Sequence, residues 1–331
     1  LKPVIAITIG DFNGIGPELA LKAVIHPVVK KICVPVLVGP LSVFEKTAKN
    51  CRLKVQLAQT TLLRINKSGI SVIDVGDGIG ADIQYGATAK TAGRSAGIAI
   101  ERAVELCLQG KAAAMVTAPL SKEALNLAGY NFPGQTEMIA LLSRSQSVVM
   151  MLVSNEMRVG LVTIHTAIKD VSVNISKEKV MEKISIINNS LKIDFCLKKP
   201  RLAVLALNPH AGEKGLFGTE DDNIIAPAIA DSKTAGILAE GPFPADGFFG
   251  THAYKKYNAI VAMYHDQGLI PLKMSSFSKG VNFSAGLKII RTSPDHGTAY
   301  DIAGKNKANL SSMIEAVKMA VLISKNRRNN D

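Results

Sequence analysis

The sequence predicts an α/β protein of two lobes with largely parallel strands, and three observations carry that prediction. Short apolar runs rich in Val, Ile and Leu alternate with longer helical patterns along the whole chain, as strands and crossover helices do in α/β folds. Several of these runs stop at Gly, Pro, Asn or Asp, the pattern of buried parallel strands bounded by turns. The chain has 331 residues, and single cores rarely grow much past about 250–300 residues.

The elements follow in order. Val4–Ile9 reads as the first strand: it is short, has one Lys before it, and leads into a Gly-Asp turn rather than a small-residue cleavage site, so it is not read as a secretion signal. It feeds Gly10-Asp-Phe-Asn-Gly-Ile-Gly-Pro-Glu18, a glycine-bearing turn before a helix whose first turn holds Pro17 and Glu18. Such a turn either aims backbone N–H groups at an anion or is a plain strand-to-helix turn. Its spacing, G-x-x-x-G-x-G, is not the dinucleotide fingerprint, and about twenty residues later stand Lys30 and Lys31 where that fingerprint has an acid. His26, before Pro27, marks a helix end. Val34–Val38 reads as a strand ending at Gly39-Pro40, and Ile70–Asp74 as another; Gly76–Gly80 after it reads as a loop. The small-residue stretch Gly86–Gly110, with Ile98, Ile100, Val104, Leu106 and Leu108, suits a helix packed closely on a sheet. Ala112–Pro119 reads as a strand running into a loop, with a helix beginning near Ser121. No linker or low-complexity stretch divides the chain, so the lobes are expected to be joined by structured crossings.

Bulk properties narrow the function. No apolar segment approaches the roughly 20 residues needed to cross a bilayer, so no membrane insertion is expected. Cys33, Cys51, Cys107 and Cys196 are widely separated and suggest neither a zinc knot nor a disulfide framework, which fits a reducing cytoplasm. The net charge of +12 is spread along the chain, aromatics are 5% and Trp is absent, so a nucleic-acid surface with stacking platforms is not expected. The basic balance suits anionic substrates and cofactors, or simply a solvated lysine-rich surface. Lys325–Asp331 reads as a frayed end.

Three apolar runs share one feature: Arg158–His165, Arg201–His210 and Tyr257–His265 each end in a histidine followed by turn residues. A single histidine after a strand is usually a hydrogen-bonded turn residue. Three of the six histidines in the same context point instead to a metal site, because ligands of open α/β sheets bind just outside the carboxyl ends of the strands. Three imidazoles leave coordination positions open for substrate, as a catalytic divalent ion requires. Downstream, Lys273, Asn282 and Arg291 lie among glycine-rich turns. They are read either as surface groups or as a grip on a phosphate or carboxylate, with Arg as a planar fork and Lys as a point charge.

The segments Gly10–Glu18, Asn208-Pro-His-Ala-Gly-Glu213, Gly241-Pro-Phe-Pro-Ala-Asp246, Ala262-Met-Tyr-His-Asp-Gln-Gly268 and Ile290-Arg-Thr-Ser-Pro-Asp-His-Gly-Thr-Ala299 closely resemble the 4-hydroxythreonine-4-phosphate dehydrogenase family, in the same order and over nearly the whole chain. The resemblance implies an NAD-dependent homodimer with a two-lobed α/β/α fold similar to that of isocitrate and isopropylmalate dehydrogenases, with the active site in the cleft. The lobes are expected over 1–130 plus 290–331 and over 131–289, the second carrying metal and dimer contacts. By the same resemblance His165, His210 and His265 hold a divalent metal shared between subunits, and Lys273, Asn282 and Arg291 contact the phosphosubstrate. No residue is assigned to NAD. Zinc suits three imidazoles, and magnesium, manganese or cobalt are also compatible, since spacing does not fix the ion.

One departure concerns specificity. Family members usually carry Gly-His-Thr-Glu, whose His and Thr touch substrate; this chain has Gly134-Gln135-Thr136-Glu137. Glutamine donates and accepts hydrogen bonds but takes up no proton near neutral pH. The segments Thr117–Leu125 and Gly215-Leu-Phe-Gly218 also resemble paralogues acting on four-carbon phosphorylated sugar acids. The expected reaction is oxidation of 4-phosphooxy-threonine followed by decarboxylation to 3-amino-2-oxopropyl phosphate, in pyridoxal phosphate biosynthesis. A divalent ion would acidify the substrate hydroxyl while NAD accepts hydride from the same carbon, and the resulting β-keto acid would lose carbon dioxide. Asp246 and Asp266 are candidates for general base or for orienting the histidines. The alternatives are a dehydrogenase of D-threonate or D-erythronate 4-phosphate and, in a different class, a non-catalytic phosphometabolite-binding protein.

Overall fold

The computed structural model describes residues 1–61, 69–76, 82–276 and 279–330; most of the Gly76–Gly80 loop, from Asp77 on, lies outside the described residues, as does Asp331 of the tail. The strands are β1 (Val4–Thr8), β2 (Val34–Val38), β3 (Leu57–Gln59), β4 (Ile70–Ile73), β5 (Ala114–Thr117), β6 (Val149–Val153), β7 (Arg158–Leu161), β8 (Arg201–Leu205), β9 (Leu238–Phe243), β10 (Ala259–Ala262), β11 (Val281–Ala285) and β12 (Arg291–Pro294). The helices are α1 (Gly16–Ile25), α2 (Pro27–Ile32), α3 (Leu41–Asn50), α4 (Lys90–Leu108), α5 (Lys122–Leu127), α6 (Gln135–Leu142), α7 (Lys177–Ile193), α8 (Ala226–Thr234), α9 (Ala245–Gly250), α10 (His265–Ser276) and α11 (Ser311–Asn330). Among the described residues, no helix is long and apolar enough to cross a membrane.

The chain divides into two compact units, one of residues 1–146 and 287–328, the other of 147–286 with the last few residues. In the first unit the strand order is β3-β4-β2-β1-β5-β12, and every pairing is parallel. β1 and β5 are buried on both faces, which is why they read as unbroken apolar runs rather than alternating ones. Local chemistry sets the helix ends. Pro17 and Glu18 occupy the first turn of α1, where a missing N–H costs nothing and a carboxylate meets the positive end of the helix dipole. His26 ends α1 and caps α2, its Nδ1 accepting from Val28 N at 3.3 Å. Ser121 caps α5 by accepting from Ala124 N at 3.1 Å. α4 packs on the first unit's sheet, as its small residues predict, while two of its glycines face elsewhere: a Cβ at Gly93 would stand 1.8 Å from Ala124 O, and one at Gly97 would stand 2.1 Å from the Tyr130 ring. Those two glycines make room for α5 and Tyr130, not for the sheet.

In the second unit the order is β11-β6-β7-β10-β8-β9. β6 runs antiparallel to both β11 and β7, whereas β7, β10, β8 and β9 are mutually parallel. One face of these strands forms a core of Leu152, Val159, Leu161, Leu205, Ile260 and Ala262, against which α10 sets Leu269 and Leu272. Fully burying side chains of this size contributes about 1.5–3 kcal/mol each. Gly268 lets the helix approach: a Cβ there would stand 2.4 Å from Val159 Cγ1 and 3.0 Å from Ala262 Cβ.

Candidate active site

The histidine-bearing runs form adjacent parallel strands, in the order β7-β10-β8. Each strand ends before its histidine, at Leu161, Leu205 and Ala262, and His165, His210 and His265 lie within five residues beyond. All three therefore leave the same edge of the second unit's sheet. His165 and His265 come together, with ring centroids 6.0 Å apart. His265 Nδ1 is 2.7 Å from Asp266 Oδ1, which orients the ring and leaves Nε2 as the nitrogen available to a ligand. His210 does not join them in the single chain: it adopts a left-handed backbone (φ 52°) and lies beside Phe217, ring centroids 6.2 Å apart. Among the described residues, no group of three His, Cys, Asp or Glu side chains is placed to hold a metal ion.

The donor chemistry can be tested against a divalent ion. Zinc sits about 2.0–2.1 Å from an imidazole nitrogen, so two rings on one tetrahedral ion have centres about 5 Å apart. The observed pair is wider by about 1 Å, a gap that side-chain torsion closes. Two imidazoles thus fit half of such a site, and the third must come from elsewhere.

The loops carrying these histidines are pinned from beneath. Thr163 donates to Met263 O through both its N, at 3.1 Å, and its Oγ1, at 2.7 Å. Gln267 accepts from Met263 N at 2.7 Å and donates to Ala206 O at 2.6 Å. Asp221, fully buried, accepts from Leu207 N (2.7 Å), Asn208 N (3.0 Å) and Asn208 Nδ2 (3.0 Å). None of Thr163, Gln267 and Asp221 stands out in the sequence reading. Gln267 lies in the His265–Gly268 segment, where its neighbours draw the eye; Asp221, followed by Asp222 and Asn223, looks like any solvated helix start.

Two cavities open beside Tyr264. One of about 330 Å³ is lined by Asp246, Phe249, Asp266, Gln267, Ile270 and Met274, so the two candidate acids meet at one pocket. The other, about 300 Å³, is lined by Ile168, Ser172, Leu207, Asn208 and Glu220. Lys273 lies in the last turns of α10. Asn282 is on β11 opposite Leu152, and its Oδ1 is buried with no hydrogen-bond partner.

The remaining predicted residues belong to the first unit. Gln135 and Thr136 begin α6, and Gln135 Oε1 is likewise buried without a partner. Arg291 is fully buried, its Nε and Nη2 donating to Thr117 Oγ1 at 3.0 and 2.9 Å. Burial pushes its pKa down to about 10, opposed by the charge of Glu137, so it remains a cation at neutral pH. The same unit holds two further polar groups shifted by burial, Asp11 and His296. Asp11 accepts from Tyr300 Oη at 2.7 Å, and burial pushes its carboxyl above the usual 3.8 even though this bond and backbone N–H groups pull it down. His296 has a buried Nε2 with no partner, and burial lowers its pKa, favouring the neutral ring.

Known proteins are similar over the whole of this arrangement. The family model of the pyridoxal phosphate biosynthetic protein PdxA matches residues 31–320. A 4-hydroxythreonine-4-phosphate dehydrogenase of Geobacter metallireducens is 46% identical over 322 residues, covering 96% of this chain and 95% of the relative. A relative from Oceanobacillus iheyensis, provisionally named D-threonate 4-phosphate dehydrogenase, is 38% identical and covers 97% of each chain. The crystal structure of a 4-hydroxythreonine-4-phosphate dehydrogenase from Klebsiella pneumoniae superposes with a TM-score of 0.86 at 36% identity, over 98% of both chains. A β-decarboxylating dehydrogenase from Thermococcus kodakarensis shares the fold alone, with a TM-score of 0.50 at 13% identity, over 96% of this chain and 82% of that one. The chain belongs to the PdxA family.

Proposed function

We propose that the protein is a 4-hydroxythreonine-4-phosphate dehydrogenase that oxidises 4-phosphooxy-threonine and decarboxylates it to 3-amino-2-oxopropyl phosphate, a step of pyridoxal phosphate biosynthesis in the cytoplasm. Relatives carrying that name over nearly the full length support the reading. The observation that carries the chemistry is the His165 and His265 pair, 6.0 Å apart at the carboxyl edge of parallel strands. When bound, a divalent ion, zinc by its affinity for imidazole, supplies Lewis acidity at the substrate hydroxyl, and NAD supplies the hydride acceptor.

The chain's own residues would do the rest. His165 and His265 would hold the ion from one subunit and His210 from a second copy of the chain in a homodimer. Asp266 would keep His265 in the tautomer that presents Nε2. Asp246 or Asp266, both lining the cavity of about 330 Å³, would take the hydroxyl proton. Lys273, Asn282 and Arg291 would orient the phosphate, contributing position rather than chemistry. Gln135 and Thr136 would contact the substrate's polar groups.

A second reading, dehydrogenation of D-threonate or D-erythronate 4-phosphate, is favoured by Gln135 standing where the family has His and by the name of the Oceanobacillus relative. The test is an NADH absorbance assay of metal-stripped and metal-restored enzyme with 4-phosphooxy-threonine and with D-threonate 4-phosphate. Metal-dependent NADH formation faster with the amino acid supports the first reading, and faster turnover of the hydroxy acid supports the second. Ligand and metal binding without NADH from either substrate would refute both and leave a binding protein.

A further inference from the structure

The amide of Gln267 performs the work of a missing sheet rung. Registered pairing between β10 and β8 runs from Ala259 with Leu202 to Val261 with Val204. Beyond it, Met263 N and Ala206 O have no strand partner in each other; the Gln267 side chain stands between them, accepting from the first at 2.7 Å and donating to the second at 2.6 Å. Primary amides carry the donor and acceptor of a peptide group. These two partners also fix which end of the amide is which, since a reversed amide would set donor against donor and acceptor against acceptor. On the other side of β10, Met263 O takes both hydrogen bonds of Thr163. A path of buried hydrogen bonds, Thr163 to Met263 to Gln267 to Ala206, thus crosses the ends of β7, β10 and β8 just before the loops of His165, His265 and His210.

We propose that Gln267 is a positioning residue for the divalent ion, its amide holding in place both the loops by which one chain offers His165 and His265 to one ion and the loop by which it offers His210 to the other ion of a dimer. The proposal rests on the metal reading above. Sites of this kind need their ligands held within about 0.5 Å. Backbone bonds continue past the strand ends between β7 and β10 and between β8 and β9, but between β10 and β8 the last registered pair is Val261 with Val204. Gln267 restores a rung there from within α10, whose first residue is the ligand candidate His265.

The test uses the full-length protein stripped of metal. Gln267→Leu keeps a side chain of similar bulk, one atom shorter, and removes both bonds. Gln267→Glu keeps the acceptor for Met263 N but sets an anionic oxygen against Ala206 O. Thr163→Val removes only the Oγ1 bond. Zinc affinity is measured by competition with a chromophoric chelator, the cobalt(II) ligand-field spectrum is recorded at saturation, and unfolding of the metal-free protein is followed by circular dichroism. Zinc affinity should fall about ten- to a hundredfold in Gln267→Leu, with an altered cobalt spectrum, and less in Thr163→Val. Should Gln267→Leu fail to fold, Gln267→Glu and Thr163→Val carry the same comparison. Wild-type zinc affinity and cobalt spectrum, with only a lower unfolding temperature, would show the amide to be a structural fastener and overturn the proposal. His165→Ala and His265→Ala are the controls for the underlying reading: if they bind zinc as tightly as wild type, the metal reading falls and this proposal with it. Loss of zinc in those variants beside unchanged affinity in Gln267→Leu sinks the proposal alone.

Discussion

Truncating Asp221 to alanine is expected to destabilise the second unit by about 3–5 kcal/mol. The carboxylate is fully buried and accepts three hydrogen bonds, from Leu207 N, Asn208 N and Asn208 Nδ2. Asn208 Nδ2 keeps a second acceptor, Glu220 Oε2 at 2.8 Å, so only the two backbone donors are orphaned. Hydrogen bonds to a charged group contribute about 1.5–3 kcal/mol each, and both donors are only half-buried, so water recovers part of the loss and the total falls toward the lower half of the sum. Against a typical stability of about 5–15 kcal/mol, this is severe. The neighbouring Asp222 is exposed, and Asp222→Ala should stay within about 0.5 kcal/mol of wild type. Equilibrium urea unfolding followed by circular dichroism measures both, with equal slopes required before midpoints are compared. A loss below 1 kcal/mol in Asp221→Ala would show that the loop following β8 is held by something other than this carboxylate.

Other outcomes follow from the same reasoning. Asp11 has a folded pKa raised above 3.8, chiefly by burial; its contribution to stability is therefore complete below pH 3.8 and lost as pH rises through the folded value. Asp11→Asn, neutral throughout, should gain stability relative to wild type between pH 4 and pH 7.5 in urea unfolding, and a flat difference would contradict the burial argument. Gly93→Ala sets a Cβ 1.8 Å from Ala124 O, a backbone atom that cannot step aside, and should cost at least about 3 kcal/mol by forcing α4 and α5 apart; a thermal melt like that of wild type would refute it. Gln135→His should raise the rate on 4-phosphooxy-threonine relative to D-threonate 4-phosphate if the family's histidine sets that preference. It should also add an acidic limb near pH 6.5 to kcat/KM as the imidazole protonates. An unchanged ratio would move the determinant of specificity elsewhere.

The parts of this molecule legible in the sequence are those whose physical cause is local. Val4–Thr8, Val34–Val38 and Ala259–Ala262 read as strands because burial on both faces leaves an unbroken apolar run. His165, His210 and His265 stand out because each follows such a run. The antiparallel β6 is not legible in the sequence, since a buried strand has the same composition in either direction. Arg291 reads as a surface group or a grip on an anion; its burial against Thr117, a residue 174 positions away in the chain, is not legible from its neighbours. Gln267 shows where such reading stops and how it could go further. His265 and Gln267 stand two residues apart at the start of a helix, about 200° around its axis, so one projects outward as the other turns under the sheet edge. The glycine that follows lets the helix come close enough for an amide to reach both loop backbones. A histidine, a buried amide two residues on and then a glycine, at the end of a parallel strand, is therefore a pattern with a mechanism: an outward ligand candidate, an inward fastener and the space that lets it reach.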